Sequence, residues 1–377
     1  DLRPNLAATA GNNPDILSQP ATLVFTSLAW RNAWKYQNRS YRHWFWDSGV
    51  IVANLLAVSV STGLKASVAM GFIDHAVNNF LCLEPRKEAT IALAPIGHLM
   101  EDAPKYDVSP DPEPVTVIDN PRYLPLSMEE AEYPEIWKVH EASSLETREQ
   151  VTQWLKSIVP TSHKQLAQNI PKPDEPHMSI GDAILRRGSS RRFSHTAISK
   201  TQLSAILYTS TRGVPMDFVQ EGESLVDIYL IANAVDDLES GHHFYDSNTN
   251  SLRQLHVMKE IASRNESGYL CLGQPLFADA SAVLFVMARL DAILNALGNR
   301  GYRACQFEAG VVAGKIYLAS YAQGLGASGS TFYDDAVTES FFPHAKDKAA
   351  MIAVGVGIPA YKSRPGKILP VRLTPSE

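Results

Sequence analysis

Arginine and hydroxyl side chains are interleaved in RRGSSRRFS, Arg186 to Ser194. A guanidinium binds phosphate through two parallel N–H donors, and a serine hydroxyl adds a further hydrogen bond. Arg187, Ser189 and Arg191 are therefore candidates for gripping a phosphate-bearing ligand. Standing alone, an arginine-rich turn reads equally well as a solvated loop. A second basic cluster, YKSRPGK from Tyr361 to Lys367, contains Lys362 and Arg364 and offers more cations suited to the same anion. Other chemistry-bearing residues take plainer readings. His242 and His243 adjoin in the turn-like stretch SGHHFYDSN, and since neighbouring histidines do not readily face one metal ion, both are expected on the surface. Asp47 and Glu308 are expected at helix starts, where a carboxylate complements the helix dipole. Trp44, Phe45 and Trp46 are expected in a core or domain interface.

The elements that must hold these residues occur twice. NRSYRHWFWDSGVIVANLLAVSVSTGL, Asn38 to Leu64, returns without a gap as NRGYRACQFEAGVVAGKIYLASYAQGL, Asn299 to Leu325, at an offset of 299 − 38 = 261 residues. At that offset Arg39 matches Arg300, Arg42 matches Arg303, Gly49 matches Gly310 and Asp74 matches Asp335. Solenoid periods are about 20–50 residues, so this repeat is a duplicated domain, of the kind that packs as a two-fold pair with a site between its halves. In each copy the apolar pattern from Val50 to Gly63, and from Gly310 to Gly324, predicts a helix too apolar to lie on the surface. A buried strand is predicted to follow in each, over Thr90 to Ile96 and Ala350 to Val356. The basic loop lies between a helical lead-in, SIGDAIL, and an N-capped helix, SKTQLSAILYTS. Further strands are predicted over Asp227 to Val235 and Ser281 to Leu290. Proline-rich stretches, His98 to Pro125 and Ile170 to Pro176, predict linkers flanking two amphipathic helices. The expected organisation is a partial domain at 1–97, a linker with helices at 98–176 and a complete domain at 177–377.

Composition narrows the classes of function. A net charge of −6 gives no footprint for nucleic acid or an anionic membrane. Three scattered cysteines are too few for a disulfide framework or zinc site, and a reducing, cytoplasmic setting is expected. The chain starts at Asp1 with no signal-peptide pattern, and no apolar run approaches the roughly 18 residues of a membrane span. No metal site is expected, and the partner should be a small molecule or a protein.

Together the basic loop, the late cations and the segments LGQPLFADASAVLFVMARL, NRGYRACQFEAG and GLGASGSTFYDDAV resemble the FMN-dependent nitroreductase family. The resemblance covers nearly the whole chain and points to the branch of SagB-like and azoline-dehydrogenase-like oxidoreductases. It implies an α+β nitroreductase-like fold, a central mixed sheet flanked by helices, arranged as a tandem internal pseudo-dimer with homodimerisation also open. It implies FMN held through its phosphate by Arg187, Ser189 and Arg191 and by Lys362 and Arg364, with the turn Ser330, Thr331 and Phe332 beside the flavin ring. It further implies that Lys35 and Tyr36 match a lysine–tyrosine pair acting in proton transfer, the lysine being poised by burial. The second copy has Ala296 and Leu297 there, so one site shared between the copies is expected. The implied activity is hydride transfer between flavin N5 and a small molecule or a peptide-borne azoline. The chain departs from the branch at Phe218 to Val226, FVQEGESLV, where a P-S-A-G-type segment is usual. The alternative is therefore a flavin-free binding or scaffold subunit of a peptide-modifying complex. No G-x-G-x-x-G follows a strand, which leaves the electron donor open.

Overall fold

Two long helices with small residues along one side form the centre of the molecule. In the computed structural model, which describes residues 1–98, 127–157, 168–169, 178–220 and 222–361, the chain begins with α1 (Arg3–Thr9), α2 (Pro14–Ser18), β1 (Ala21–Leu28), α3 (Trp30–Tyr36), a 3-10 turn (Gln37–Arg39), α4 (Ser40–Ser61), β2 (Lys65–Ala66), α5 (Asp74–Phe80) and β3 (Glu88–Gly97). Next come α6 (Pro134–Ala142) and α7 (Arg148–Leu155). The second part contains β4 (Gln168–Asn169), α8 (Ile180–Arg186), α9 (Lys200–Ser210), β5 (Val226–Ala232), β6 (Gly241–Asp246), β7 (Ser251–Val257), α10 (Glu260–Leu270), α11 (Pro275–Asp279), β8 (Ala282–Ala288), α12 (Leu290–Leu297), α13 (Arg300–Ala322), β9 (Gly326–Ser330), α14 (Asp334–Ser340) and β10 (Ala349–Gly357). The linker centred on SPDPEP and the hinge at 170–176 lie outside the described residues.

The repeated helices α4 and α13 begin about ten residues before the expected Val50 and Gly310. No residue in NRSYRHWFWD or NRGYRACQFE breaks a helix, and the leading arginines find acids in the opposite repeat. Asp47 and Glu308 consequently stand well inside their helices instead of capping them. The two helices touch backbone to backbone. A Cβ at Gly49 would lie 2.5 Å from the Phe307 carbonyl oxygen, one at Gly310 2.8 Å from that of Phe45, and one at Gly314 2.6 Å from the Ala53 Cβ. Only glycine permits such an approach. Trp46 Nε1 donates to Gln306 Oε1 across the seam at 2.6 Å, and the equivalent rings of Tyr41 and Tyr302 stack at 6.4 Å. The Trp44, Phe45 and Trp46 cluster is buried at this interface as expected. By length and composition Trp30–Ser61 is apolar enough to cross a membrane, contrary to the expectation of no such run; 44% of its most apolar window is buried inside the protein.

Each repeat adds strands to its helix. A seven-stranded sheet has the order β4-β7-β6-β5-β8-β10-β9, and a three-stranded sheet the order β1-β3-β2. β1, β3 and β2 match β8, β10 and β9 by sequence offset and pairing, so the smaller sheet repeats one end of the larger. Every named ladder among the described residues is antiparallel, which corrects the expected mixed sheet. β5, β8 and β10 read as near-continuous apolar runs because helices cover both faces, and β8 is buried at every position. His242 and His243 lie inside β6 and are buried, not at the surface. Imidazole Nε2 of His242 lies 3.0 Å from Glu266, and Nδ1 of His243 donates to the Gly241 carbonyl at 3.1 Å.

Candidate active site

An extended segment alternates the direction of its side chains, and 187–191 uses that alternation. Ser190 points inward, its N–H donating to the Ala327 carbonyl at 2.8 Å and its hydroxyl packed under Gly326, where a Cβ would meet Ser190 Oγ at 2.2 Å. Ser189 and Arg191 are exposed and Arg187 is half-buried, so the three predicted phosphate ligands share the open face. Two tyrosines brace the loop from α13. Tyr317 Oη lies 3.2 Å from Ser189 Oγ and accepts the Gly329 N–H, and its ring lies under the Arg187 guanidinium at 5.5 Å. Tyr321 Oη lies 3.5 Å from Ser190 Oγ. Arg191 N–H donates to Tyr361 Oη at 2.8 Å. Lys362 and Arg364 lie outside the described residues.

β9 connects this loop to a second feature. Its five residues, at about 3.3 Å each, carry the chain on the order of 13 Å from Gly326 beside the loop to Ser330. There a cavity of about 640 Å³ is lined by Lys35, Tyr36, Gln37 and Arg39 from the first repeat and by Leu272 and Thr331 to Ala336 from the second. The lysine–tyrosine pair and the Thr331–Phe332 turn, 295 or more residues apart in sequence, thus border one space. Ser330 flanks it, with its Oγ accepting from Gln274 Nε2 at 2.9 Å. Two wall residues have left-handed backbones without being glycine, Gln37 at φ 51° and Leu272 at φ 63°, a conformation that side chains adopt only when their surroundings impose it.

Some side chains depart from expectation. Lys35 is exposed at the end of α3, not buried. Tyr36 stacks on His43 at 4.2 Å. The Phe332 ring is buried at 1% exposure beneath the Arg39 guanidinium, so this residue meets the cavity chiefly as a wall. Arg39 anchors that wall, with Nη1 pairing with Asp334 at 2.7 Å and Nη2 donating to the Phe332 carbonyl at 3.0 Å. Its buried Nε has no partner among the described residues, which leaves a donor beside the cavity. His43 went unnoticed in the sequence. Burial, and then the charges of Arg39, Arg42 and Lys35, push its pKa down to about 4, so the ring behind Tyr36 is neutral near pH 7. An open run of Arg187, Ser189 and Arg191 at one end of β9 and a cavity with an unmatched donor at the other fit a phosphate-tailed ring cofactor.

The first repeat handles the matching turn differently. Phe72 and Asp74 correspond in structure to Phe332 and Asp334, one residue out of register with the sequence match of Asp74 to Asp335, so Met70 and Gly71 correspond to Ser330 and Thr331. The Asp217 carboxylate accepts from both backbone amides, at 2.9 Å from Met70 N and 2.9 Å from Gly71 N. Burial raises the Asp217 pKa to about 6 against these hydrogen bonds. The FVQEGESLV segment continues from there, and Ser224 Oγ and the Leu225 N–H donate to the buried Glu308 carboxylate at 2.6 and 3.0 Å. Burial pushes Glu308 up to about 7. Among the described residues no group of three or more His, Cys, Asp or Glu is placed to hold a metal ion.

Comparison with known proteins agrees with this architecture. Residues 184–358 match the sequence profile of the Nitroreductase family. Over 173 residues, 44% of this chain and 86% of the relative, the sequence is 27% identical to a candidate nitroreductase of Methanocaldococcus jannaschii. The crystal structure of a candidate nitroreductase from Anabaena variabilis superposes on 95% of this chain and 73% of its own, with a TM-score of 0.76 at 23% identity. The structure of a candidate nitroreductase from Ralstonia eutropha covers 54% of this chain and 95% of its own, with a TM-score of 0.43 at 18% identity. The chain therefore has an α+β nitroreductase-like fold, and its residues 184–358 are similar to the Nitroreductase family.

Proposed function

We propose that this protein is an FMN-dependent oxidoreductase of the SagB-like, azoline-dehydrogenase-like kind, acting on a small molecule or a peptide-borne azoline. The observation that carries the reading is the shared cavity, which borders Lys35 and Tyr36 from one repeat and the Thr331–Phe332 turn from the other, at the far end of the strand that starts beneath the Arg187–Arg191 loop. Bound FMN would supply hydride transfer at its ring, the chemistry that a protein side chain cannot perform. This chain's residues would supply position and proton movement. Arg187, Ser189 and Arg191, joined by Lys362 and Arg364, would hold the phosphate, and the Ser330–Phe332 turn would border the ring. The Tyr36 hydroxyl and the Lys35 amine would exchange a proton with the substrate atom next to the one that loses hydride. His43, neutral and stacked on Tyr36, would fix the phenol's orientation.

Only one such site per chain is proposed. In the first repeat the matching Met70–Gly71 turn already serves the Asp217 carboxylate. The departure at Phe218 to Val226 bears on that filled turn and on Glu308, which favours the enzyme over the flavin-free scaffold. The domain boundaries 1–97, 98–176 and 177–377, a cytoplasmic setting and assembly with biosynthetic partners belong to the same proposal. Titration with FMN and with riboflavin, followed by flavin fluorescence, tests it. FMN should bind at least tenfold more tightly than riboflavin, and Arg187→Ala with Arg191→Ala should abolish that preference, because each charge-assisted hydrogen bond is worth about 1.5–3 kcal/mol. Equal binding of both flavins, or none of either, contradicts the reading.

A further inference from the structure

A larger cavity, about 1360 Å³, opens between the C-terminal halves of α4 and α13 and the helices α8 and α9. Its relation to the repeat is informative. At the 261-residue offset, Leu56 and Val60 of α4 occupy the places of Tyr317 and Tyr321 of α13. In the second repeat those phenols brace Ser189 and Ser190 of the basic loop. In the first repeat the same helix face is aliphatic and borders a hollow. The hollow is walled by Leu56, Ile180, Ala205 and Leu318, with the exposed Val60 at its mouth. Two charged side chains line it, Lys315 and Arg212, both cations, and no carboxylate is among the described lining residues. The Lys315 ammonium donates to the Gly213 carbonyl. The acid nearest it along α13, Glu308, is already engaged by Ser224 and Leu225. Burial pulls Lys315 down to about 8, which still leaves it mainly charged at pH 7. A partly desolvated ammonium that is hydrogen-bonded to one neutral carbonyl, and that feels Glu308 through its charge without a hydrogen bond to it, is stabilised further by an anion brought to it from the cavity. The volume exceeds the roughly 300–1,000 Å³ of ordinary ligand pockets, leaving room for a long apolar body.

We infer that this cavity is a second binding site, for an amphipathic carboxylate whose apolar chain lies along Leu56, Ala205 and Leu318 and whose carboxylate pairs with Lys315, with Arg212 at the rim. The inference does not depend on the flavin reading. The full-length chain should be titrated with the fluorescent fatty acid 11-(dansylamino)undecanoic acid, and the probe then displaced with oleate or with oleyl alcohol. The expected result is saturable binding of one probe per chain, with oleate displacing it at least tenfold better than the alcohol. Lys315→Met should bring oleate to the level of the alcohol, and Ala205→Trp should remove probe binding. If the tryptophan variant does not fold, Ala57→Phe fills the same space from α4, and the oleate preference of the unaltered protein is decisive in any case. The Arg187→Ala, Arg191→Ala protein should bind the probe normally, which separates this site from the proposed flavin site. No saturable binding, equal displacement by oleate and alcohol, or an oleate preference untouched by Lys315→Met would overturn the inference.

Discussion

The same pair of arginines grips the same helix-starting aspartate twice, once in the dark of the core and once beside a cavity. Arg300 and Arg303 of the second repeat hold Asp74 of the first at 2.5 and 2.6 Å, with all three side chains at most 5% exposed. Arg39 and Arg42 of the first repeat hold Asp334 of the second at 2.7 and 2.5 Å, with side chains 22–35% exposed. The exchange is reciprocal, as an isologous two-fold contact requires. What differs is the cover. The segment between the repeats lies over the first clamp, where the Leu145 N–H donates to Asp74, Arg303 Nε donates to Ser143 Oγ, and Arg303 Nη2 donates to the His140 carbonyl. The second clamp borders the 640 Å³ cavity. One copy of the contact thus serves stability, and the other is left where a ligand could be reached. Duplication supplied two equivalent half-interfaces, and the connecting segment sealed one of them.

Substitution of the two aspartates should separate these roles most sharply. Asp74→Ala leaves two buried guanidinium groups unpaired, so a loss of about 3–5 kcal/mol is expected in urea unfolding; a loss near zero would erase the contrast. Burial alone would raise Asp74, but Arg300 and Arg303 hold it down at about 2. Its contribution is therefore present above about pH 4, its unfolded value, and disappears as the pH falls toward 2. Glu308 has the opposite sign. Its folded pKa of about 7 exceeds the ordinary 4.5, so its contribution is full below about 4.5 and is lost as the pH rises through 7. Glu308→Gln should flatten that decline, which amounts to on the order of 3 kcal/mol, in unfolding measured from pH 4.5 to 7.5; an unchanged slope would place the titration elsewhere. Gly310→Ala should cost about 1–3 kcal/mol, since its methyl would meet the backbone of Phe45 and Trp46 at 2.8 Å. Thermal melting checks this, and a neutral effect would mean that the helices can slide apart freely. The smallest effect is expected from Asp334→Ala, about 0–1 kcal/mol because its ion pairs are partly hydrated, while FMN affinity should fall as Arg39 loosens from the cavity wall. A stability loss as large as that of Asp74→Ala would show that the two clamps are equivalent.

Much of this architecture was legible because it rests on local patterns. The repeat, the long apolar helices, the buried strands ending each copy and the alternation in RRGSSRRFS all follow from residue periodicity. What failed depended on contacts remote in sequence. Asp47 and Glu308 looked like caps because the helix starts were placed too late; the polar first turns of α4 and α13 hold helical form through arginines that bind the other repeat. His242 and His243 sit among turn-forming residues, yet pair within a central sheet where Glu266 and a backbone carbonyl satisfy them. A gapless alignment pairs Asp74 with Asp335, whereas the ion pairs select Asp334, one residue earlier. The shared cavity depends on Arg39 and Arg42 meeting Asp334 and the Phe332 carbonyl of the second repeat, and no spacing along the chain encodes that meeting.

The central claim is one flavin site made by two unequal halves, and the number of flavins per chain tests it most directly. Protein saturated with FMN, freed of unbound flavin and assayed for flavin and protein should contain one FMN per chain, and none after Arg187→Ala with Arg191→Ala. A content of zero or two in the unaltered protein, or one that survives loss of both arginines, would contradict the account.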